Sequence, residues 1–159
     1  TGGAGFIGSA FIRKTLRLPA FSGRIVNVDK LTYAANLDLL KGFHEHPRYR
    51  FIQADINQME LIEKICLEEG IDTIVHFAAE THVDRSIAAS SAFVDTNVRG
   101  TVSLLEVVRK LPEIHFHHIS TDEVYGSLGE SGLFSEKSPY RPNSPYSAKK
   151  AASDHLVRA

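Results

Sequence analysis

Short apolar runs alternate along the chain with longer stretches in which apolar residues recur three and four positions apart. The first pattern is typical of buried strands and the second of amphipathic helices. Strands are predicted at Arg24–Asp29, Tyr49–Gln53, Thr73–Phe77 and His115–Ser120. Helices are predicted at about Gly5–Leu16, Gln58–Glu69 and Phe93–Leu111, with a last helix opening near Pro145. This alternation predicts βα units and an α/β fold with a doubly wound parallel sheet.

Composition narrows the class of protein. The 159 residues are 43% hydrophobic and 23% charged, and 18 basic against 19 acidic residues leave a net charge of −1. These values fit a single globular domain and give no electrostatic reason to expect nucleic acid or an anionic membrane as a partner. No apolar run approaches the roughly 20 residues of a membrane span, and no signal peptide is visible. We therefore expect a soluble, cytoplasmic protein.

Cysteine and histidine often mark disulfides or metal sites, but neither is predicted in this chain. The single cysteine, Cys66, lies at an apolar position of a predicted helix and is expected to be a buried, inert thiol. In a strand, His115 and His117 share one face and His118 takes the other. Since no carboxylate matches this arrangement, structural histidines are expected and no metal is assigned.

A glycine-rich turn opens the chain. Gly2, Gly5 and Gly8, or Gly3, Gly5 and Gly8, precede the first predicted helix. Backbone without Cβ atoms can approach a pyrophosphate closely, and a helix N-terminus supplies free N–H groups and a positive dipole end. Asp29 ends the next strand about 20 residues later, where a carboxylate can accept hydrogen bonds from both ribose hydroxyls and repels a 2′-phosphate. The pattern predicts a dinucleotide site that favours NAD over NADP.

Residues after the following strands extend this cofactor site. Asp55 and Ile56 follow the second strand, where a carboxylate can meet the adenine amino group. Ala78, Ala79 and Glu80 follow the third, and their small side chains leave room for a dinucleotide. The carboxyl ends of parallel strands meet at one edge of a sheet, so these positions are expected to lie together.

Tyr146 and Lys150 form a YxxxK pattern on the last predicted helix. Residues four apart share a helix face, so both can point into one cleft. The ammonium is expected to lower the pKa of the phenol and make it a base for an alcohol proton. Lys149 competes for this role, although its spacing favours a solvated surface position.

The segment Thr121-Asp122-Glu123 directly follows the fourth predicted strand. Two adjacent carboxylates beside a hydroxyl, at the edge of a parallel sheet where ligands bind, indicate an acid–base pair whose members hold different pKa values. A helix-capping role for Thr121 and Asp122 is the alternative.

At these motifs the chain resembles the dTDP-glucose 4,6-dehydratases of the extended short-chain dehydrogenase/reductase superfamily. The resemblance covers essentially the whole chain. The glycine turn and YxxxK are shared across the superfamily, whereas Thr121-Asp122-Glu123 and the run from Glu80 to Ser86 are more specific. Thr81 stands where the family has Ser, and Lys149 stands where it has a small residue. The segments that carry the resemblance are Gly2–Gly8, Asn27–Ala34, Ala78–Ile87, Thr121–Glu123 and Tyr146–Lys150.

The resemblance implies a mechanism and a set of roles. Tyr146 takes the proton of the sugar C4 hydroxyl, NAD accepts the C4 hydride and later returns it to C6, and Thr121 hydrogen-bonds the same oxygen. Glu123 removes the C5 proton, and a protonated Asp122 donates to the leaving C6 hydroxyl. His82 contacts the substrate, Thr96 and Asn97 lie nearer the cofactor, and dTDP-glucose is the substrate of a homodimer. The implied cofactor-binding set is Gly2, Gly5, Phe6, Ile7, Gly8, Asp29, Lys30, Leu31, Thr32, Asp55, Ile56, Ala78, Ala79, Glu80, Thr81, Thr96, Tyr146 and Lys150.

Three other functions stay open at this point. A UDP-hexose 4-epimerase uses the same tyrosine, lysine and NAD but needs no acid–base pair, so Asp122 and Glu123 argue against it. A dehydratase of a GDP- or UDP-sugar is harder to exclude, because nucleobase recognition is expected outside this chain. A non-catalytic dinucleotide-binding domain could lose Tyr146, Lys150 or the acid pair, and all are present.

The ends of the chain give a further expectation. In the doubly wound order the first strand is central, and Thr1-Gly2-Gly3 reads as the turn that follows it. The strands at residues 24–29 and 73–77 would then lack a shared neighbour, which leaves unpaired edges. We therefore expect residues 1–159 to be an NAD-binding domain fragment without its first strand and without the small C-terminal substrate-binding domain.

Overall fold

The computed structural model describes residues 1–82 and 90–159, so the predicted substrate-side run Val83–Ile87 lies outside the described residues. The strands are β1 (Ile25–Asp29), β2 (Tyr49–Gln53), β3 (Thr73–His76) and β4 (His115–His118). The helices are α1 (Phe6–Arg17), α2 (Met59–Glu69), α3 (Ser90–Val94), α4 (Gly100–Lys110) and α5 (Pro145–Arg158). Shorter turns are the 3₁₀ segments Leu37–Phe43 and Asp122–Tyr125 and the π-helical segment Asp95–Arg99.

The strands pair in parallel, as the sequence predicts for an α/β fold. β1 pairs with β2, with Ile25 opposite Tyr49, and β3 pairs with β4, with Thr73 opposite His115. These are two separate two-stranded sheets in the described part of the chain. Within these residues no strand pairs with both β1 and β3.

The backbone of Thr1 and Gly2 bridges the two sheets at one end. The Gly2 amide donates to the Val28 carbonyl at 2.9 Å, and the Phe77 amide donates to the Thr1 carbonyl at 3.1 Å. Beyond this bridge an apolar cavity of about 440 Å³ separates β1 from β3. The two sheets are thus joined where their strands end and open along the rest of their facing edges.

The predicted long helix Phe93–Leu111 is wrong in two respects. It begins earlier, at Ser90, and it is interrupted at Asp95–Arg99 by a π-helical turn. A π-turn changes which backbone groups are bonded within the helix and often lies at a functional site. The 3₁₀ segments at Leu37–Phe43 and Asp122–Tyr125 were not predicted either, because such turns carry little hydrophobic periodicity.

Two apolar clusters form the core. The larger lies between the strands, α2 and α4, and includes Val28, Ile62, Ile74 and Leu104. The smaller packs α1 against the Leu37–Phe43 turn and includes Ile12 and Leu40. Packing of both helix layers on strands accounts for the stability of the elements that carry the functional residues.

The residues that could have suggested other chemistry have structural positions. Cys66 is buried in the larger core cluster, and burial raises the pKa of its thiol, as expected for an inert cysteine. His115 and His117 share the exposed face of β4, and His118 lies on the other face. Among residues 1–82 and 90–159, no group of three or more potential metal ligands is clustered. In the same ranges no helix is long and apolar enough to cross a membrane.

The last helix begins with a strong local signal. Ser144 caps it, since its side chain accepts a hydrogen bond from the Ser147 amide and its own amide donates to the Ser147 side chain. Pro145 occupies the first turn, where its missing N–H costs nothing. This reciprocal cap fixes the point where the helix starts, and hence which face Tyr146 presents.

Close backbone packing fixes the glycine turn before α1. A Cβ atom on Gly8 would overlap the Gly2 carbonyl oxygen and lie 2.8 Å from Gly3 Cα. Gly2 itself has φ +72 and lies against the backbone of Phe77 and Ala78. The start of α1 therefore sits closer to the turn than any side chain would allow.

We expect Gly8→Ala to destabilise the full-length protein. Glycine-to-alanine changes in a helix ordinarily stabilise by up to about 1 kcal/mol. Here the added methyl group must displace backbone atoms, and overpacking of that kind costs about 1–3 kcal/mol. The free energy of unfolding in urea measures the difference.

Gly42→Ala is the matched control, because a Cβ at exposed Gly42 meets nothing within 4 Å. It should leave the unfolding free energy unchanged or slightly raised. If Gly8→Ala were as stable as Gly42→Ala, the close approach of α1 to the turn would not constrain the fold.

Candidate active site

A second cavity, of about 530 Å³, lies at the carboxyl ends of the parallel strands. It runs from the glycine turn, past the end of β1 and the segment after β3, to the first turns of α5. It is lined by most of the residues that the sequence predicts as functional: Gly2, Gly5, Phe6, Ile7, Gly8, Asp29, Lys30, Thr32, Ile56, Ala78, Ala79, Glu80, Thr81, Thr96, Glu123, Tyr146 and Lys150.

The glycine turn closes one end of this cavity. Phe6 and Ile7 in the first turn of α1 are 81% and 64% exposed, so they cover no protein core. The first amides of an α-helix have no intrahelical acceptor, and the helix dipole makes this end positive. An anionic group placed here would meet free N–H donors with no side chain in the way.

Asp29 is held in one orientation at the end of β1. Its Oδ2 accepts a hydrogen bond from the Ala4 amide at 3.0 Å, and its Oδ1 accepts one from the Leu31 amide at 2.8 Å. Leu31, whose amide bonds the carboxylate, has φ +62, a backbone conformation that leucine rarely adopts. A carboxylate oxygen accepts more than one hydrogen bond, so Asp29 keeps acceptor capacity for a ligand.

Lys30 links two further predicted residues. Its ammonium donates to the Thr96 hydroxyl at 3.1 Å and lies 3.5 Å from the Asp55 carboxylate. Partial burial alone would raise the pKa of Asp55, but hydrogen bonds from Asn57 and the charge of Lys30 lower it below its ordinary value. The Asp55 carboxylate is therefore already bonded by Asn57 and paired with Lys30, and it does not line the cavity.

Asn97 fixes the segment after β3. The Glu80 amide donates to its side-chain oxygen at 2.8 Å, and its Nδ2 donates to the Glu80 carbonyl at 2.9 Å. Asn97 lies in the π-helical turn, and its carbonyl accepts hydrogen bonds from the hydroxyls of Thr101 and Ser153. The π-turn thus serves to hold the cavity wall and α5 at one point.

Tyr146 and Lys150 lie on one face of α5, as predicted, and are 7% and 4% exposed. The expected effect of Lys150 on the phenol is not found in this structure. Burial raises the pKa of Tyr146, the charge of Glu123 raises it further, and a hydrogen bond with Thr121 opposes them. The Lys150 ammonium instead donates to the Ile119 carbonyl at 2.6 Å, and burial lowers its own pKa.

The Thr121-Asp122-Glu123 segment forms the start of a 3₁₀ turn. The Thr121 hydroxyl caps it by accepting a hydrogen bond from the Glu123 amide at 3.3 Å. This turn sends the two carboxyls to different surroundings: Glu123 lines the cavity near Tyr146, whereas Asp122 is exposed. The capping role weighed for Thr121 is therefore present together with the hydroxyl's bond to Tyr146.

Five predicted residues lie beside the cavity and not in its lining: Leu31, Asp55, His82, Thr121 and Asp122. Leu31 acts through its backbone on Asp29, and Thr121 acts through Tyr146. His82 is exposed at the edge of the described residues. Lys149, expected to be solvated, has its ammonium 5.3 Å from the centre of the Phe93 ring.

Several lining residues were not singled out from the sequence. Ala34, Ala35 and Ala54 leave space, and Phe77, Ile119 and Ser120 present backbone near the strand ends. All directly neighbour predicted motifs. Their only signal was that position, since small and apolar residues at strand ends carry no chemistry of their own.

The arrangement brings together the parts of a proton-transfer site beside an anion-binding turn. The phenol of Tyr146, which is bonded by the Thr121 hydroxyl, and the carboxylate of Glu123 lie in the same cavity as the first turn of α1 and the fixed carboxylate of Asp29. A ligand that spans the cavity could place phosphate at the turn and a reacting hydroxyl at Tyr146.

Comparison with known proteins finds, along the whole chain, the family that the sequence motifs resemble. The sequence model of the family described as GDP-mannose 4,6 dehydratase matches residues 1–159. A dTDP-glucose 4,6-dehydratase of Xanthomonas campestris is 51% identical over all of this chain and 47% of its own length. One from Neisseria meningitidis is 50% identical over the same shares of both chains. The chain spans about half the length of the curated relatives it matches.

Solved structures agree with this relationship. A dTDP-glucose 4,6-dehydratase from Streptomyces venezuelae with NAD bound is 48% identical and has a TM-score of 0.91 over 99% of this chain and 49% of its own. A UDP-glucose 4-epimerase from Thermus thermophilus in complex with NAD is 30% identical, with a TM-score of 0.84 over 99% of this chain and 48% of its own.

The shared fold places the parallel sheets and helices in a Rossmann-like arrangement, as predicted from the alternation of strands and helices. The identity to these dehydratases, 48–51%, exceeds the 30% identity to the epimerase. The chain belongs to the nucleotide-sugar dehydratase family described as GDP-mannose 4,6 dehydratase, and its resemblance to the dTDP-glucose 4,6-dehydratases of the extended short-chain dehydrogenase/reductase superfamily is confirmed.

Proposed function

We propose that the protein is an NAD-dependent hydro-lyase that converts dTDP-glucose to dTDP-4-keto-6-deoxyglucose. One observation carries the proposal: Glu123 lines the same cavity as Tyr146 and Lys150, and Asp29 and the glycine turn line it as well. An epimerase would need the tyrosine and lysine but no carboxyl base beside them. The names of the relatives point the same way.

The residues at the turn fit a dinucleotide. Gly2, Gly5 and Gly8 line the cavity without side chains of their own, and Phe6 and Ile7 in the first turn of α1 line the same space. Asp29 is oriented to accept hydrogen bonds from ribose hydroxyls, and its charge disfavours a 2′-phosphate. Lys30, Leu31, Thr32, Asp55, Ile56, Ala78, Ala79, Glu80, Thr81 and Thr96 complete the proposed NAD site. When bound, NAD supplies a hydride acceptor at C4 of the sugar and a hydride donor at C6.

Tyr146 is the proposed base for the C4 hydroxyl. Its pKa is raised in the unliganded cavity by burial and by Glu123, so the phenol holds its proton until the surroundings change. The Thr121 hydroxyl bonds the phenol and opposes this effect. Lys150 fixes the strand end beneath them through the Ile119 carbonyl and keeps a positive charge close to the site.

Glu123 and Asp122 are the proposed base and acid of the elimination. Once C4 is a ketone, the C5 proton becomes acidic, and a carboxylate inside the cavity can take it. Asp122, proposed to donate to the leaving C6 hydroxyl, lies one residue earlier on the same turn. Different surroundings for neighbouring carboxyls are what an acid–base pair requires. His82 is proposed to contact the substrate.

We assign residues 1–159 to an NAD-binding domain and place recognition of the nucleobase in a small C-terminal substrate-binding domain outside them. The described cavity supports this division, because its lining accounts for a dinucleotide and a reacting sugar carbon. A cytoplasmic location and the absence of nucleic-acid partners remain part of the proposal, in keeping with a net charge of −1.

The first test is turnover of the full-length protein with dTDP-, UDP- and GDP-hexoses. We expect dTDP-glucose to be converted to the 4-keto-6-deoxy product with a kcat/KM at least tenfold above the UDP and GDP substrates. Product can be followed by its altered sugar resonances in NMR. Equal rates on all three would remove the dTDP assignment, and isomerisation at C4 without loss of water would indicate an epimerase.

Glu123→Gln separates oxidation from elimination. The amide cannot take the C5 proton, so we expect product formation to fall by about 10²-fold or more. Oxidation at C4 should continue, and reduced nicotinamide should accumulate in a single turnover, measured by its absorbance. Glu136→Gln, at an exposed loop position, is the matched control and should behave as wild type. Wild-type product formation by Glu123→Gln would exclude it as the base.

We also propose a homodimer formed through α3, α4 and α5. Val94 on α3, Val102 on α4 and Leu156 on α5 are each 38% exposed. Large apolar side chains exposed on neighbouring helices are typical of interaction surfaces. Val102→Glu in the full-length protein should shift the sedimentation coefficient from dimer to monomer. Leu61→Glu is the control, since Leu61 is similarly exposed but lies on α2; a dimer that survives Val102→Glu would contradict this surface.

A further inference from the structure

The helix that carries Tyr146 and Lys150 has a third buried polar residue on the same face. Asp154 lies four positions after Lys150 and eight after Tyr146, and only 7% of it is exposed. A carboxylate is costly to bury unless it is paired. Asp154 accordingly has partners on three different parts of the chain.

Two of these partners bond the same oxygen. Ser120 Oγ donates to Asp154 Oδ2 at 2.5 Å, and the Tyr140 hydroxyl donates to it at 2.9 Å. The third partner is His118 in β4, whose Nε2 lies 3.2 Å from Oδ1, within ion-pair distance although outside hydrogen-bond geometry. Burial raises the pKa of Asp154, but His118, Ser120 and Tyr140 together lower it below its ordinary value. Asp154 is therefore an anion in the folded protein.

The contact with Ser120 matters because of what surrounds it in the chain. Lys150 bonds the carbonyl of Ile119, and Asp154 bonds the side chain of the next residue. α5 thus bonds Ile119 and Ser120, the two residues immediately before Thr121-Asp122-Glu123. Because Tyr146 lies on the same helix face, these two bonds set the position of Glu123 relative to the phenol.

We propose that Asp154 is a positioning residue of the proposed dehydratase: by anchoring Ser120, it holds the Thr121-Asp122-Glu123 turn in register with Tyr146. The expected change in kcat rests on the proposed function, whereas the anchoring of the turn can be tested without it. Asp154 does not itself line the cavity, and it acts on lining residues: it bonds Ser120, and its charge raises the pKa of both Lys150 and Tyr146.

The same carboxylate also affects Lys150. Burial lowers the pKa of Lys150, and the charge of Asp154 raises it. Tyr146 on the same helix and Glu123 on the 3₁₀ turn share the cavity with Lys150, and the charge of Lys150 acts on His76 of β3. Asp154 is the charged group that raises the pKa of Lys150. Loss of its charge should therefore lower the pKa at which Lys150 loses its proton.

Two substitutions separate anchoring from charge in the full-length protein. Ser120→Ala removes the anchored hydroxyl and leaves the carboxylate in place. Asp154→Asn keeps an oxygen that accepts from Ser120 and Tyr140 but removes the charge. We expect Ser120→Ala to lower kcat roughly tenfold with KM for the sugar nucleotide within about threefold. We expect Asp154→Asn to move the alkaline limb of the kcat profile to lower pH, a shift that Ser120→Ala should not produce.

A second readout does not depend on turnover. Asp154→Ala and Ser120→Ala should increase hydrogen exchange at the Glu123 and Gly126 amides, whose bonds define the turn. Asp38→Asn, an exposed aspartate, is the matched control for substitution of an acidic residue and should change neither kinetics nor exchange. If Asp154→Ala does not fold, Ser120→Ala and Asp154→Asn decide the question.

The outcomes are distinct for the two proposals. If wild-type protein forms no 4-keto-6-deoxy product, the proposed function fails, and the exchange data alone then test the anchor. If wild-type protein is active but Ser120→Ala and Asp154→Asn match Asp38→Asn in kcat, in pH profile and in exchange, Asp154 has no positioning role. Increased exchange together with lower kcat in Ser120→Ala supports it.

Discussion

The close backbone approach at the glycine turn is the constraint on which the rest of this structure depends. Gly2 reaches β1 through the Val28 carbonyl, and Thr1 reaches the end of β3 through the Phe77 amide, so this short stretch joins two sheets that are otherwise separate. Because a Cβ atom on Gly8 would overlap Gly2, the same contact sets how near α1 lies to the strand ends. The free N-terminus of that helix then defines one end of the cavity. A steric requirement of the fold and the geometry of an anion site are therefore one feature.

Much of this architecture could be predicted from the sequence, for physical reasons that differ between elements. Strands such as Ile25–Asp29 are short runs in which apolar β-branched residues predominate, and α5 opens with a Ser-Pro signal in which Ser144 bonds the helix backbone. The π-turn at Asn97 could not be predicted, because hydrophobic periodicity continues across it while Asn97 accepts hydrogen bonds from groups distant in sequence, the Glu80 amide and the Ser153 hydroxyl. The π-turn carries the clamp on Glu80, so the missed irregularity is also the part of the helix that shapes the cavity.

In the site, too, the identity of functional residues could be predicted from the sequence, but the groups that surround them could not. Tyr146, Lys150 and Glu123 could be singled out from spacing and position after a strand, and all three line one cavity. The direction of the Tyr146 pKa could not be predicted, since it depends on burial and on which acceptor Lys150 finds. The Lys150 ammonium donates to the Ile119 carbonyl, and this bond holds the residue that directly follows β4. Spacing on a helix predicts that two side chains share a face, and it leaves open what each of them bonds.

The raised pKa of Tyr146 has a consequence for how the site would respond to its ligands. Burial and the negative charge of Glu123 both favour the neutral phenol in the unliganded cavity. Positive charge brought into the same space opposes both effects, because it stabilises a phenolate more strongly in surroundings with little water. Oxidised nicotinamide is a cation and reduced nicotinamide is neutral. Under the proposed function, Tyr146 is thus the better base when the cofactor is oxidised, and the phenol holds its proton more firmly once the hydride has moved. Proton transfer at Tyr146 would then be coupled to the redox state of the cofactor through Coulomb interaction alone.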